Sequence, residues 1–178
     1  VLNQNKQVIV LIPEIALTYQ TVLRFYRRFG NQVSVINSKM SAGERYDQFE
    51  RARTAQVKIM IGPRSALFTP FPSLGLIIMD EEHEGAYKSE LSPRYHAREV
   101  AEKLSCMNLA SLVLGSATPS LEAFSMGLKG RFRLYRLTRR AKENSQIAKV
   151  QVVDLREELK AGNKSIFSQA LKEAMKER

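Results

Sequence analysis

The sequence predicts an α/β domain: a mostly parallel sheet flanked by helices. Two observations carry that expectation. Short apolar runs alternate with helix-period segments along most of the chain, the pattern of parallel strands joined by crossover helices. Two of those runs, Leu76-Ile77-Ile78-Met79 and Leu112-Val113-Leu114, break abruptly into polar residues, Asp80-Glu81-Glu82-His83 and Gly115-Ser116-Ala117-Thr118-Pro119. In open α/β sheets, chemistry collects at the carboxyl ends of strands.

Taken in order, Leu2-Asn3-Gln4-Asn5-Lys6 reads as the tail of a helix. Val8 to Ile12 is a buried strand ended by Pro13. From Ile15 to Phe29 a stripe of Ile15, Tyr19, Val22, Tyr26 and Phe29 predicts a helix that Gly30 stops. Val33 to Ile36 is the next strand. Ser41 with Glu44 three residues on is a capping box, opening a helix to about Arg53. Val57 to Ile61 follows as a strand ending at Gly62-Pro63. After the strand before Asp80 come a polar loop, a helix from about His96 to Cys106, and the strand before Gly115. Thr118 as cap and Pro119 at the first helical position predict a helix closing between Gly127 and Gly130. Phe132–Leu137 and Val150–Val153 read as late strands, and Phe167–Lys176 as a last helix.

A chain of 178 residues, 44% hydrophobic and 26% charged, is expected to form one soluble domain with a proper core. No apolar run reaches membrane-spanning length, and no secretory pattern opens the chain, so no membrane role is expected. The single Cys106 excludes an internal disulfide and fits a reducing cytoplasm. Set among Leu104, Met107 and Leu109, it reads as core filler. The excess of 28 basic over 18 acidic residues favours a polyanionic partner. Arg131, Arg133, Arg136, Arg139, Arg140 and Lys142 concentrate that charge in one stretch.

A strand ending in Asp80-Glu81 suits a Walker-B site, where the Asp holds Mg²⁺ through its water shell and the Glu positions an attacking water. His83 reads as a polar bridge toward Ser116 and Thr118. The competing readings are a solvated acidic loop, a metal-dependent nuclease cluster of Asp80, Glu81 and Glu82, and zinc held by His83, His96 and Cys106. The nuclease reading is opposed by geometry, since neighbouring residues on an extended strand point to opposite faces. The zinc reading is opposed by a spacing that matches no standard ligand pattern. Beyond the acids, Tyr87, Lys88, Arg94, Tyr95, His96 and Arg98 mix flat rings with cations, suited to stacking bases and neutralising phosphates. Packing of Tyr87 and Tyr95 onto the domain is the plainer alternative. No G-x-x-x-x-G-K-[ST] occurs, and position 1 is Val, so the chain is expected to be a piece of a larger protein.

Several segments together carry a family resemblance. Leu11-Ile12-Pro13-Glu14-Ile15-Ala16-Leu17-Thr18 resembles superfamily 2 helicase motif Ia, and Ile61-Gly62-Pro63-Arg64-Ser65-Ala66-Leu67-Phe68 resembles motif Ib. Asp80 to His83 resembles motif II, and Gly115 to Thr118 motif III. With Ser92-Pro93-Arg94-Tyr95-His96-Ala97-Arg98 and Leu137-Thr138-Arg139-Arg140-Ala141, the wording is similar to the PriA family of primosomal replication-restart helicases, from about residue 8 to 156.

The resemblance implies a RecA-like, P-loop NTPase type fold lacking the Walker-A strand-loop-helix. Residues 1–156 would be the first motor lobe, and 157–178 the start of the connection to the second. It implies an ATP-dependent 3′ to 5′ DNA helicase, with ATP and Mg²⁺ as cofactors and zinc only outside this segment. Single-stranded and forked DNA and other primosome and replication-restart proteins would be its partners. Asp80, Glu81, Glu82 and His83 would form the catalytic motif, and Gly115, Ser116, Ala117 and Thr118 the coupling motif. Pro13, Glu14, Thr18, Gly62, Pro63, Arg64 and Ser65 would lie against DNA, with phosphates held but bases unread. Tyr87 to Arg98 would be an aromatic-rich loop coupling DNA to hydrolysis. The segment alone is expected to be inactive. A non-catalytic nucleic-acid-binding module on the same fold is the alternative.

Overall fold

A computed structural model describes residues 1–139 and 150–176. The described residues divide into two compact units, Val1–Leu134 and Tyr135–Arg178. The first is built on a five-stranded sheet of β1 (Gln7–Leu11), β2 (Val33–Val35), β3 (Ile59–Gly62), β4 (Leu74–Met79) and β5 (Ser111–Leu114), in the order β2-β3-β1-β4-β5. Every pairing is parallel: Val8 lies opposite Ile59 and Leu76, and Met79 opposite Leu114. Parallel neighbours need crossover connections, and helices α1 (Tyr19–Phe29), α2 (Ala42–Arg53) and α3 (Ala97–Asn108) supply them. α4 (Leu121–Leu128) follows β5.

Because successive strand residues face opposite ways, β1 feeds two cores. Ile9 and Leu11 join Met60, Ile77 and Met79 beneath α2 and α3, with Ala52, Ala97 and Ala101 at the contact. Val8, Val10, Ile59 and Ile61 form the other core, against Phe25 and Phe29 of α1. Each large side chain buried this way contributes about 1.5–3 kcal/mol. Gly62, where β3 ends, has no room for a side chain: a Cβ there would sit 2.7 Å from the Ile36 carbonyl oxygen.

Several local expectations are corrected. The first helix does not begin at Ile15. Glu14–Ala16 form a 3₁₀ turn, and the Thr18 side chain accepts the Thr21 amide to start α1 at Tyr19. Its inward face carries Phe25 and Phe29, while Ile15, Tyr19 and Tyr26 face solvent. The capping box at Ser41 and Glu44 forms as expected, and α2 ends at Arg53. α4 starts at Leu121 with Ser120 as cap, two residues later than a Thr118 cap would give. Cys106 is exposed: the buried row of α3 runs through Ala97, Ala101 and Ser105, and the next residue turns about 100° away. Phe132–Leu137 and Val150–Val153 form no strands. Among the described residues no helix is long and apolar enough to cross a membrane.

In the second unit, α5 (Leu155–Lys160) was unmarked by apolar periodicity and is opened by Asp154, which accepts the Arg156 amide. The last helix, α6 (Gln169–Lys176), starts two residues after Phe167, where the Glu158 carboxylate accepts the Gln169 amide. Arg140, Ala141 and Lys142 of the basic stretch lie outside the described residues.

Candidate active site

β4 delivers Asp80 to the carboxyl end of the sheet, where its amide donates to the Leu11 carbonyl of neighbouring β1. The chain then turns sharply. Asp80 Oδ1 accepts the Glu81 amide at 3.1 Å, and Glu81 takes a left-handed backbone, φ 46°. A non-glycine residue held there costs on the order of 1–3 kcal/mol, so its surroundings must over-determine it. The turn swings the Glu81 side chain outward and the Glu82 side chain inward.

Motif III meets this turn main chain to main chain. Gly115 donates to the Met79 carbonyl, and the Glu82 amide donates to the Gly115 carbonyl at 3.0 Å. Side chains add a second tie. His83 Nδ1 lies 2.7 Å from Ser116 Oγ, and its Nε2 lies 3.4 Å from Thr118 Oγ1. Ser116 Oγ also accepts the Thr118 amide, holding the turn in shape. Glu81 Oε2 stands 3.6 Å from His83 Nδ1. Asp80, Glu81, His83, Ser116 and Thr118 are thus gathered at one strand-end surface; Ala117 is exposed beside them.

Glu82 differs from the expected role. Its side chain is 3% exposed and turned into the protein. Oε1 accepts the Ser120 amide at 2.6 Å, while Oε2 accepts Ser120 Oγ at 3.0 Å and faces Arg98 Nη1 at 3.4 Å. Arg98, expected on the exposed loop, is also buried, at 7%. Its guanidinium also donates to Ser120 Oγ and approaches Glu102 at 3.9 Å.

The loop after the acids is braced from several sides. Tyr87, 1% exposed, donates its hydroxyl to the Asp80 carbonyl at 2.7 Å. Burial first, then the nearby Asp80, Glu84 and Glu81 charges, push this phenol well above its ordinary range, so it stays a donor. Lys88 and His96 pair across the loop as an antiparallel bridge. Arg64 Nη1 donates to the Ala86 and Lys88 carbonyls, each at 2.8 Å. Tyr95 meets Phe68 edge-on, with ring centroids 5.6 Å apart. His96 caps α3, its Nδ1 accepting the Arg98 amide. Burial and then the Arg98 charge hold the His96 pKa below its usual value. Arg94 and Lys88 are exposed.

The remaining residues expected at DNA divide between scaffold and surface. Pro13 and Gly62 are buried and shape their loops, Pro63 and Ser65 are half-buried, and Thr18 is exposed at the start of α1. Glu14 accepts both the amide and the hydroxyl of Ser38, and these bonds, hydroxyl first, lower its pKa. Ser38 lies in no recognisable motif, and Ser120, directly after Gly115 to Pro119, carries no local sign of its Glu82 partner 38 residues away.

The geometry bears on the competing metal readings. Among the described residues no three His, Cys, Asp or Glu side chains are grouped to hold a metal, which opposes both the zinc and the nuclease arrangements. A single carboxylate at Asp80 does suit Mg²⁺, which keeps several waters and is commonly bound through one or two carboxylates and substrate phosphates.

Comparison with known proteins shows the family. The family described as DEAD/DEAH box helicase matches residues 1–126. Replication restart protein PriA of Bacillus subtilis is 48% identical over 99% of this chain and 22% of its own length. The proteins of the same name from Synechocystis and Chlamydia pneumoniae are 46% and 45% identical, each over 99% of this chain and 22% and 24% of theirs. The chain therefore spans less than a quarter of the length of these relatives. The family match runs through both strand ends, Asp80–His83 and Gly115–Thr118, which lie on adjacent parallel strands, and the chain belongs to the DEAD/DEAH box helicase family.

Proposed function

We propose that this chain is most of the first motor lobe of an ATP-driven 3′ to 5′ DNA helicase that acts in cytoplasmic replication restart and primosome assembly at stalled forks. The observation that carries the reading is the junction of His83 with Ser116 and Thr118, which joins the Asp80-Glu81 turn to the next strand end. Similarity to the replication restart proteins supports the biological setting. The lobe spans residues 1–156, and residues 157–178 begin the connection to the second lobe.

In this reading Asp80 orients water ligands of Mg²⁺, which supplies positive charge to the ATP phosphates when bound. Glu81, half-exposed and next to His83, holds the attacking water and takes its proton. His83 passes the state of that turn to Ser116 and Thr118. The phosphates need a cradle that these 178 residues lack. β5 pairs on one side only among the described residues, and its half-exposed Val113 leaves an edge where a strand carrying a phosphate loop fits. The 178 residues alone are therefore inactive.

Thr18, Arg64 and Ser65 face DNA phosphates, with Pro13, Glu14, Gly62 and Pro63 shaping the loops that present them. Tyr87, Lys88, Arg94, Tyr95, His96 and Arg98 couple DNA to hydrolysis. Two of these side chains touch the machinery directly: Tyr87 reaches Asp80, and Arg98 reaches Glu82. Partner proteins of the primosome and forked DNA are engaged by the whole protein, whose zinc lies outside this chain. The test is strand displacement by the full-length protein on duplexes with a single-stranded tail at either end. Unwinding from a 3′ tail, dependent on ATP, is expected. ATP-independent DNA binding without displacement from either tail would reduce the protein to a binding module.

A further inference from the structure

The strained turn at Glu81 needs a clamp, and the residue after it supplies one. Glu82 is the meeting point of three segments: the turn following β4, the start of α3 through Arg98, and the start of α4 through Ser120. The Ser120 hydroxyl is fully used. It donates to Glu82 Oε2 and accepts from Arg98 Nη1 and from the Ala123 amide that opens α4. Arg98 continues through Glu102, whose other oxygen takes Arg131 at 2.8 Å. A helix start needs only a short polar cap, so a carboxylate buried with an arginine exceeds what capping α4 requires. Such a pair is costly to desolvate, and its bonds to Ser120 hold it in one geometry, although Arg98 Nε is buried without a hydrogen-bond partner and has only Glu102 at 3.9 Å.

We propose that Glu82 is a positioning residue for hydrolysis. It locks the left-handed backbone at Glu81 and shares its carboxylate with Arg98 and Ser120. The position of the general base is thereby set jointly by α4 and by the exit of the aromatic-rich loop. Glu82 touches no reacting atom. This inference rests on the reading of Glu81 as the base.

The test compares variants of the full-length protein at saturating DNA. Glu82→Gln keeps the shape and one acceptor oxygen but removes the charge facing Arg98. Its kcat for ATP is expected to fall on the order of a hundredfold, the effect of misplacing a catalytic group by about an ångström. The KM for ATP and the stoichiometry of a bound non-hydrolysable ATP analogue should stay at wild-type values. Amide exchange over residues 115–124 should accelerate while that of β1 stays slow. Ser120→Ala, which leaves the Glu82-to-amide bond, is the milder variant should Glu82→Gln fail to fold, and it should show the same split at smaller amplitude. Loss of analogue stoichiometry in proportion to kcat would overturn the inference, since that marks a packing role only. Wild-type kcat in Glu82→Gln, or in Ser120→Ala where Glu82→Gln does not fold, with Glu81→Gln inactive, would overturn it too and leave the motor reading standing. Wild-type kcat in Glu81→Gln would overturn the reading of Glu81 as the base and this inference with it.

Discussion

The buried phenol of Tyr87 donates to the main-chain carbonyl of Asp80 at 2.7 Å, so a residue of the loop after the acids holds the backbone of the carboxylate proposed to organise Mg²⁺. Tyr87→Phe keeps the ring and deletes this bond. Stability should fall by about 0.5–1.5 kcal/mol, measured by denaturant unfolding. The maximal ATPase rate at saturating DNA should fall as well. A stability loss with the full rate retained would leave Tyr87 as packing. Because the folded pKa is raised, the bond's contribution is present below the ordinary tyrosine range near pH 10 and is lost only as pH rises beyond it.

Arg64 reaches two loop carbonyls with one nitrogen, which makes it a brace for the loop as well as a candidate phosphate contact. Arg64→Lys keeps the charge and loses the fixed fork. DNA affinity at moderate salt should change little, while the DNA-stimulated rate at saturation drops by about tenfold, equivalent to about 1.4 kcal/mol. A large affinity loss with a normal saturated rate would assign Arg64 to the phosphate alone.

Tyr95 and Arg94 divide differently. Tyr95 rests edge-on against Phe68, a contact worth about 0.5–1.5 kcal/mol, whereas Arg94 is exposed. Replacing both with Ala in the full-length protein should lower DNA-stimulated ATPase far more than ATPase without DNA. DNA affinity should fall modestly, since stacking one base is worth about 1–3 kcal/mol. Recovery of the full rate at saturating DNA would reduce the loop to a DNA contact.

His96 gives the site a pH dependence. Its unprotonated Nδ1 accepts the Arg98 amide, and burial lowers its pKa below the ordinary histidine value near 6.5. The unfolded chain therefore binds the proton more readily. The contribution is fully present above about pH 6.5 and is lost as pH falls through the lowered folded pKa. The unfolding midpoint should drop between pH 7.5 and 5. His96→Asn, which keeps a capping acceptor that does not titrate, should flatten that part of the curve. An unchanged slope in the variant would remove His96 from the account.

The five strands of the sheet and their order along the chain were legible because buried parallel strands are short apolar runs with abrupt ends, whereas Phe132–Leu137 and Val150–Val153 were expected as strands and form none. The strand ends at Asp80 and Gly115 were legible for the same reason, since both residues sit where such runs stop. The capping box at Ser41 was local chemistry and survived intact. What failed was set by partners distant in sequence. Glu81 was set apart from Glu82 only by following Asp80 directly, because nothing in the string reveals the left-handed backbone that sends the two side chains opposite ways. The Glu82 partner Ser120 lies 38 residues away. Arg98 read as a loop cation and is a buried one for the same reason. The stripe of Ile15, Tyr19 and Tyr26 assumed a helix starting before the Thr18 cap, and the shift of register turned those residues outward.

The central claim is that Glu81 is the base of an ATP-hydrolysing motor site. The direct measurement is single-turnover ATP hydrolysis by the full-length protein and its Glu81→Gln variant at saturating DNA, with ATP binding measured in parallel. The account expects ATP binding largely intact and hydrolysis slowed by about a hundred- to ten-thousand-fold, the usual cost of losing a positioned base. Wild-type hydrolysis by Glu81→Gln, with ATP bound as tightly as before, would contradict it.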